Sequence, residues 1–337
     1  MKRQWENEEL IENWMLSAWD LAQLGNKIGT TRLGFAVLLK FFQRQGRFPS
    51  FKNDVASQVI SFLAAQVGVV PEAYLQYDWK GRTIKDHRAE IRELLGFRES
   101  TVIDAEQMQQ WLLVEVLPQE HQEERLRKQA YQWFRRLHLE APTPDRLARL
   151  IHSAAYTFEQ QLYEATLARL PEASQAALEA LLSTEEQNGW QEGQAGQQPQ
   201  DLKDVQDSGT TILQQIRKDP GRVGLATMLE EMAKLRRIRE LQLPDNLFPG
   251  VARKVLAIYR NPASIEEPSR LCAHSKAKRL TYLSALCLLR AQENTDGLVD
   301  LLIHIVHKID GIVRVNRLNY EVCMFQALRE KVRVRVY

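Results

Sequence analysis

The sequence predicts an all-α protein with a multi-helix N-terminal unit, a flexible acidic linker and a second helical region. Three observations carry this. Apolar residues recur at helical spacing through most of the chain, and Gly or Pro stands where helices should stop. Alternation of apolar and other residues is nearly absent before the tail KVRVRVY, residues 331–337. No repeat of fixed period occurs.

Trp5, Trp14 and Trp19 lie at near-helical spacings and read as core or partner contacts. Thr30 or Thr31 opens the run RLGFAVLLKFFQRQ, which ends at Gly46. Its apolar residues surround most of the axis, so it belongs at the centre of a core, with Arg32, Lys40 and Arg44 on its polar edge. Asn53–Asp54 opens a second helix to Val67, closed by Gly68, and Pro71 begins a short turn. Tyr74, Tyr77 and Trp79 in YLQYDWKGRT could stack on nucleotides, but anchoring a helix junction is the more ordinary role.

The stretch GRTIKDHRAEIRELLGF, residues 81–97, predicts a helix from Ile84 to Leu95, about 18 Å long. Thr83 is its expected cap, Asp86 the capping-box partner and Gly96 the left-handed stop. Ile84, Ile91, Leu94 and Leu95 form an apolar stripe. Lys85, Arg88 and Arg92 form a basic one beside it, held to point one way, as a polyanion would require. The ordinary alternative is a solvated face whose charges pair three or four residues apart.

Asp104 is expected to cap the next helix, which ends near Pro118. His121 to Leu139 reads helical and carries Tyr131, Trp133, Phe134, Arg135 and Arg136. Thr143, Pro144 and Pro171 then mark the cap, first residue and stop of a long helix. Residues 183–210 are rich in Gln, Gly and acid and nearly lack branched apolar residues, which reads as a linker. After a turn at Asp219–Pro220–Gly221, helices are expected at about Leu225 to Leu241, Pro249 to Tyr259, Leu280 to Ala291 (apolar all round) and Thr295 to Ile309. The expected divisions are 1–140 for the first unit, 141–182 for its helical extension, 183–210 for the linker, 211–312 for the second region and 313–337 for the tail.

The 337 residues suffice for two or three domains. Lys plus Arg is 45 against 43 Asp plus Glu, a net charge of +2, so any basic surface must be local. Three scattered cysteines fit a reduced, cytoplasmic protein rather than a disulfide framework. The opening MKRQWENEEL has no signal-peptide core, and no segment is apolar enough to span a membrane.

There is no Walker loop, GxGxxG, GxSxG, HExxH or paired CxxC. Asp296, Asp300, His304 and His307 share one helical strip, as metal ligands would. They are also that helix's polar edge, no second element supplies a ligand, and no metal is expected. Cys272 with His274 is a weaker pair still. Neither a cofactor nor a catalytic residue is expected.

Several long stretches resemble the N-terminal region of the Tn-three family of replicative transposases. They are LGNKIGTTRLGFAVLLKFFQRQGRFP, YLQYDWKGRTIKDHRAEIRELLGFRE, PTPDRLARLI and DPGRVGLATMLEEMAKLRRIRELQLP. SALCLLRAQENTDGLVDLLIHIVHKI resembles the stretch that follows in the same family. The resemblance runs from about Arg3 to Ile309. SRLCAHSKAKRL departs from the family, as does everything after Ile309, which suggests a frameshift or premature end.

The resemblance implies helical domains that bind duplex DNA at the transposon's terminal inverted repeats. It also implies a downstream Mg-dependent catalytic domain that this chain is expected to lack, so the chain itself is not expected to be an enzyme. The residues expected to grip DNA are Arg32, Lys40, Arg44, Arg47, Lys80, Arg82, Lys85, Arg88 and Arg92, with Arg146 and Arg149 in the extension and Arg236 and Arg237 after the linker. The alternative is a helical interaction module that associates with itself or interferes with a full-length transposase.

Overall fold

A computed structural model describes residues 4–183 and 211–334, with side chains described as far as Asp310 and beyond it only at Arg314 and Met324. Apart from Ser183, the expected linker lies outside the described residues, as does the end of the tail, 335–337. Contacts divide the chain into two compact units, Met1–Glu159 and Gln160–Tyr337. The division falls inside the stretch 141–182 assigned above to the first unit. Residues on both sides of 184–210 pack in the second unit, where the Leu213 amide donates to the Leu181 carbonyl at 3.2 Å.

Unit 1 contains α1 (Asn7–Trp14), α2 (Ala18–Ala22), α3 (Gly29–Gln45), α4 (Ser57–Val67), α5 (Ala73–Gln76), α6 (Arg82–Leu95), α7 (Val102–Trp111) and α8 (Glu123–Arg136). α9 (Pro144–Arg169) follows and continues past Glu159. α3 is the axis of the core. Leu33 through Leu39, Phe41 and Phe42 are all buried, and α4, α5 and α6 pack around them. Phe42 sits between Phe48 and Phe97 at ring distances of 4.5 and 5.1 Å. Trp5 meets Trp14 edge-on at 5.9 Å, and both are buried, whereas Trp19 is exposed. Tyr74 and Tyr77 are also buried, so these rings anchor a helix junction and are not available to stack on bases.

Helix stops fall where glycine announces them. Gly46, Gly68 and Gly96 all take φ of 68°, the left-handed conformation that ends α3, α4 and α6. Helix starts differ more from expectation. α6 begins at Arg82 with Gly81 as its cap residue, because the Asp78 carboxylate accepts from the Lys80 and Gly81 amides and turns the chain there. Thr83 therefore lies inside the helix, and Asp86 pairs with Arg82 at 3.5 Å. α3 likewise starts at Gly29, before Thr30 and Thr31. Thr101, with Asp104 as its reciprocal partner, caps α7. Two short strands, β1 (Arg98–Glu99) and β2 (Leu139–Glu140), pair in parallel with Arg98 opposite Leu139. They bring the end of α6 to the segment that precedes α9.

Unit 2 contains α10 (Glu172–Ala180), α11 (Ile212–Arg217), α12 (Leu225–Glu240), α13 (Arg253–Ile265), α14 (Pro268–Ala273) and α15 (Lys276–Val334). α10, α12, α13 and α14 all pack on α15. The stretch Leu280 to Leu289 is almost wholly buried, as its apolar surround implied. α15 continues straight through Thr295, so the expected break there is absent. The Thr295 hydroxyl instead donates back to the Ala291 carbonyl at 2.7 Å, satisfying itself within the helix. Buried Arg290 donates to the Ile216 and Arg217 carbonyls at 3.0 and 3.1 Å, and Lys234 to the Lys218 carbonyl at 2.8 Å. Side chains from α15 and α12 thus satisfy the carbonyls that end α11.

Gly34 tests the central packing of unit 1. A Cβ there would lie within 2.7 Å of three Tyr77 ring carbons. Gly34→Ala should destabilise unit 1 by about 1–3 kcal/mol through overpacking. Gly→Ala inside an unhindered helix would instead gain about 1 kcal/mol. Denaturant unfolding reads the sign directly.

Candidate nucleic-acid interface

The three cations of the α6 stripe have different surroundings. Lys85 is exposed, with no ion pair among the described residues. Arg88 is half-buried. It donates from Nη2 to the Pro49 carbonyl at 3.0 Å, and its guanidinium lies 5.3 Å from the centre of the Phe48 ring. Arg92 is 15% exposed and bridges Glu99 and Glu140 at 2.7 Å each. Arg92, expected to face a phosphate, has these two carboxylates beside it because the β1–β2 pairing carries both to the end of α6. Burial pushes the Glu140 carboxyl above its ordinary range, against the pull of Arg92.

The polar edge of α3 is compensated in the same way. Lys40 meets the buried Asp20 at 3.3 Å, and Gln43 donates to that carboxylate's other oxygen at 2.6 Å. Arg44 donates to Asn13 and lies over the Trp5 ring at 4.7 Å. Burial lowers its pKa, with Glu12 and Glu9 opposing. Arg32 is half-buried, and its Nε has no partner. Arg47 stacks over Phe41 at 5.2 Å and donates to the Phe48 carbonyl at 3.1 Å, leaving a buried Nε unsatisfied. Lys80, Arg82, Arg146 and Arg149 are exposed.

The fold brings distant cations together in two concavities of unit 1. One, of about 360 Å³, is lined by Arg47, Arg88 and Arg146 together with Glu99, Glu140, Ser50, Ser100 and Thr143. It joins the loop after α3, the middle of α6 and the first turn of α9. The other is a groove of about 550 Å³ between the end of α3 and α8, lined by Arg44, Arg127, Lys128, Tyr131 and Arg135, with Glu124 as its acidic member. Lys128, Tyr131 and Arg135 repeat every three or four residues and so share one face of α8. Leu126, Ala130, Trp133 and Phe134 face the core on the other side. Arg135 also donates to the Arg44 carbonyl at 3.3 Å, tying the two helices together. Residues 127, 128 and 135 are absent from the sequence-derived set. The spacing was readable, but the neighbouring Arg44, which makes the face a groove, was not.

In unit 2, Arg236 is exposed while Arg237 is held by Gln215 on α11. Lys234 is buried against Glu231. Among the described residues no group of three or more His, Cys, Asp or Glu is arranged to hold a metal ion. His304 turns its Nδ1 to the Asp300 carbonyl of its own helix at 2.7 Å, and His274 pairs with Glu266 at 2.9 Å. No helix among the described residues is long and apolar enough to cross a membrane.

Comparison with known proteins gives these features a context. Residues 1–154 match a family model described as "Domain of unknown function (DUF4158)", which ends close to the boundary of unit 1. The chain is 22% identical to the transposase for transposon Tn3926 of Escherichia coli over 97% of its length, covering 31% of that protein. It is 24% identical to the transposase for transposon Tn21 of Escherichia coli over 97% of its length, again covering 31%. It is 23% identical to the transposase for transposon Tn1546 of Enterococcus faecium over 79% of its length, covering 25%. The chain thus spans about a third of the length of these two curated Escherichia coli relatives. The relationship to Tn-three-type transposases carried by the motifs is real and extends across nearly the whole chain, at low identity.

Lys40 tests how far a paired cation holds the fold. Burial raises the Asp20 carboxyl, but the Ser17 amide, Gln43, the Ser17 hydroxyl and Lys40 together bring it below its ordinary value. A lowered carboxyl contributes stability above its unfolded pKa and loses it as pH falls through the folded one. Lys40→Met should therefore cost about 1–3 kcal/mol at neutral pH by removing the cation beside a buried carboxylate that Ser17 and Gln43 still hydrogen-bond. The difference from wild type should shrink as the medium is acidified below the ordinary Asp range. Urea titrations at several pH values check both.

Proposed function

We propose that this chain, homologous to transposases of the Tn-three type over 97% of its length, binds duplex DNA and recognises the terminal inverted repeats of its transposon. The observation that carries the reading is the α3–α8 groove. Four cations and one tyrosine line it with Glu124, and of those cations Arg127 is paired to Glu123 at 2.7 Å, in a protein whose overall charge is only +2. Cations concentrated this way bind a phosphate backbone by displacing its counterions, and the bond weakens predictably with salt. Tyr131, half-buried between Lys128 and Arg135, offers a hydroxyl to a phosphate or sugar. Exposed Lys80, Arg82, Lys85, Arg146, Arg149 and Arg236 add to the basic surface of their own units. In this reading the groove fixes register on the backbone, and base recognition is a separate task of side chains entering the major groove.

A second reading, a helical interaction module, has its own observation. Leu298, Leu302, Ile305 and Ile309 on α15 are spaced four, three and four, the seam of a coiled coil, and Leu302 and Ile309 are about half exposed at 49% and 55%. Self-association or pairing with a longer transposase would cover that seam.

Fluorescence anisotropy with the inverted repeat of the encoding element, across a salt series, separates the readings. Wild type should show a steep fall of log K with log salt. Lys128→Glu should weaken all sequences alike and reduce the slope by about 1 or more. A flat salt dependence combined with concentration-dependent light scattering would favour the interaction module.

A further inference from the structure

The cavity between the α3–α4 loop, α6 and the start of α9 is distinct from the α3–α8 groove, and its chemistry is more specific. Arg47, Arg88 and Arg146 line it from three elements separated by long stretches of sequence. Two carboxylates, Glu99 and Glu140, also line it, and both are taken by Arg92 at 2.7 Å. Among the described residues none of the three lining guanidiniums has a carboxylate ion pair. Arg88 spends one donor on the Pro49 carbonyl and Arg47 one on the Phe48 carbonyl, while the Nε of each is buried and unsatisfied. A guanidinium has five donors, so most remain for a ligand. Ser50, Ser100 and Thr143 add hydroxyls to the wall. α9, 26 residues long, begins at Pro144 beside Thr143, so its positive dipole end lies at the rim.

We propose that this cavity seats a single phosphate group of bound DNA, anchoring the duplex at a point apart from the groove. The inference rests on the DNA-binding reading and deepens it. A phosphate suits the site because its several oxygens can take donors arriving from different sides, which a single carboxylate cannot do as well. Glu99 and Glu140 limit the occupant: Arg92 offsets only one of their two charges, so with the three lining arginines they would tolerate one phosphate but repel a run of them. Burial lowers the pKa of Arg88, so its charge is held at a cost that a bound anion would relieve. The phosphate is either an internal phosphodiester or a strand's 5′ end.

Anisotropy with a short synthetic duplex of arbitrary sequence, bearing 5′-hydroxyl or 5′-phosphate ends, tests the proposal in the full chain. Arg47→Gln and Arg146→Gln are compared with wild type at several salt concentrations. Arg146 is exposed, so its substitution should fold even if loss of the Arg47–Phe41 contact harms that variant. Each variant should bind about tenfold more weakly at moderate salt, with the slope of log K against log salt reduced by about 1. A loss on both kinds of duplex identifies an internal phosphodiester, and a loss only with 5′-phosphate ends identifies a strand terminus. Unchanged affinity and slope in a folded Arg146→Gln, while wild type binds DNA, overturns the cavity proposal and leaves the groove untouched. Absence of any duplex binding by wild type overturns both.

Discussion

A cation held beside an apolar core must be compensated on the spot, and unit 1 is organised around that requirement. α3 is buried on nearly every side, yet it carries Lys40 and Arg44 and is followed by Arg47. None of their charged heads lies fully in water. Lys40 finds Asp20, Arg44 finds Asn13 and the faces of two tryptophans, and Arg47 finds a carbonyl and the face of Phe41. Each solution fixes a neighbouring element. Asp20 belongs to α2, whose start is closed by its reciprocal bonds with Ser17, and Asn13 belongs to α1. The N-terminal helices are thus held to the central one by polar contacts as well as by the Trp5 and Trp14 rings. Such contacts add little net stability, but breaking one strands a desolvated group, so they specify how the helices meet.

The same requirement sorts the basic residues by role. Those compensated by carboxylates, Lys40 and Arg92, are parts of the scaffold. Those compensated only by carbonyls and ring faces, Arg47 and Arg88, keep their charge and most of their donors available. Those in water, such as Lys128 and Arg146, are free to meet a ligand but gain little until one arrives. A backbone-binding surface needs the second and third kinds close together. The α3–α8 groove and the cavity at the start of α9 are where they converge.

The legible parts of the fold were those set within a few residues. Gly46, Gly68 and Gly96 end their helices because only glycine takes the left-handed conformation without strain, and that can be read from a single position. Pro144 opens α9 for a similarly local reason. Helix starts were read less well. Several side chains near each start could serve as the cap, and which one does depends on the turn before it, as Asp78 does for α6. The expected break in α15 at Thr295 failed for the same cause. A threonine that caps in one context bonds back to its own helix in another, and the packed side chains on either side decide which.

Sequence alone determined the all-α class, the central burial of α3, most helix stops and the relationship to Tn-three-type transposases, because these rest on periodicity, on backbone chemistry and on long ordered motifs. It also determined which residues are basic and which face of a helix each occupies. Only the tertiary structure decided which of those cations are spent. Arg92 looks as free as Lys85 on a helical wheel, but a two-residue parallel strand pair, formed by residues some forty apart in the chain, delivers Glu140 to it. Charge compensation acts through space over a few ångströms, and no spacing along one helix reports what another element brings to its side.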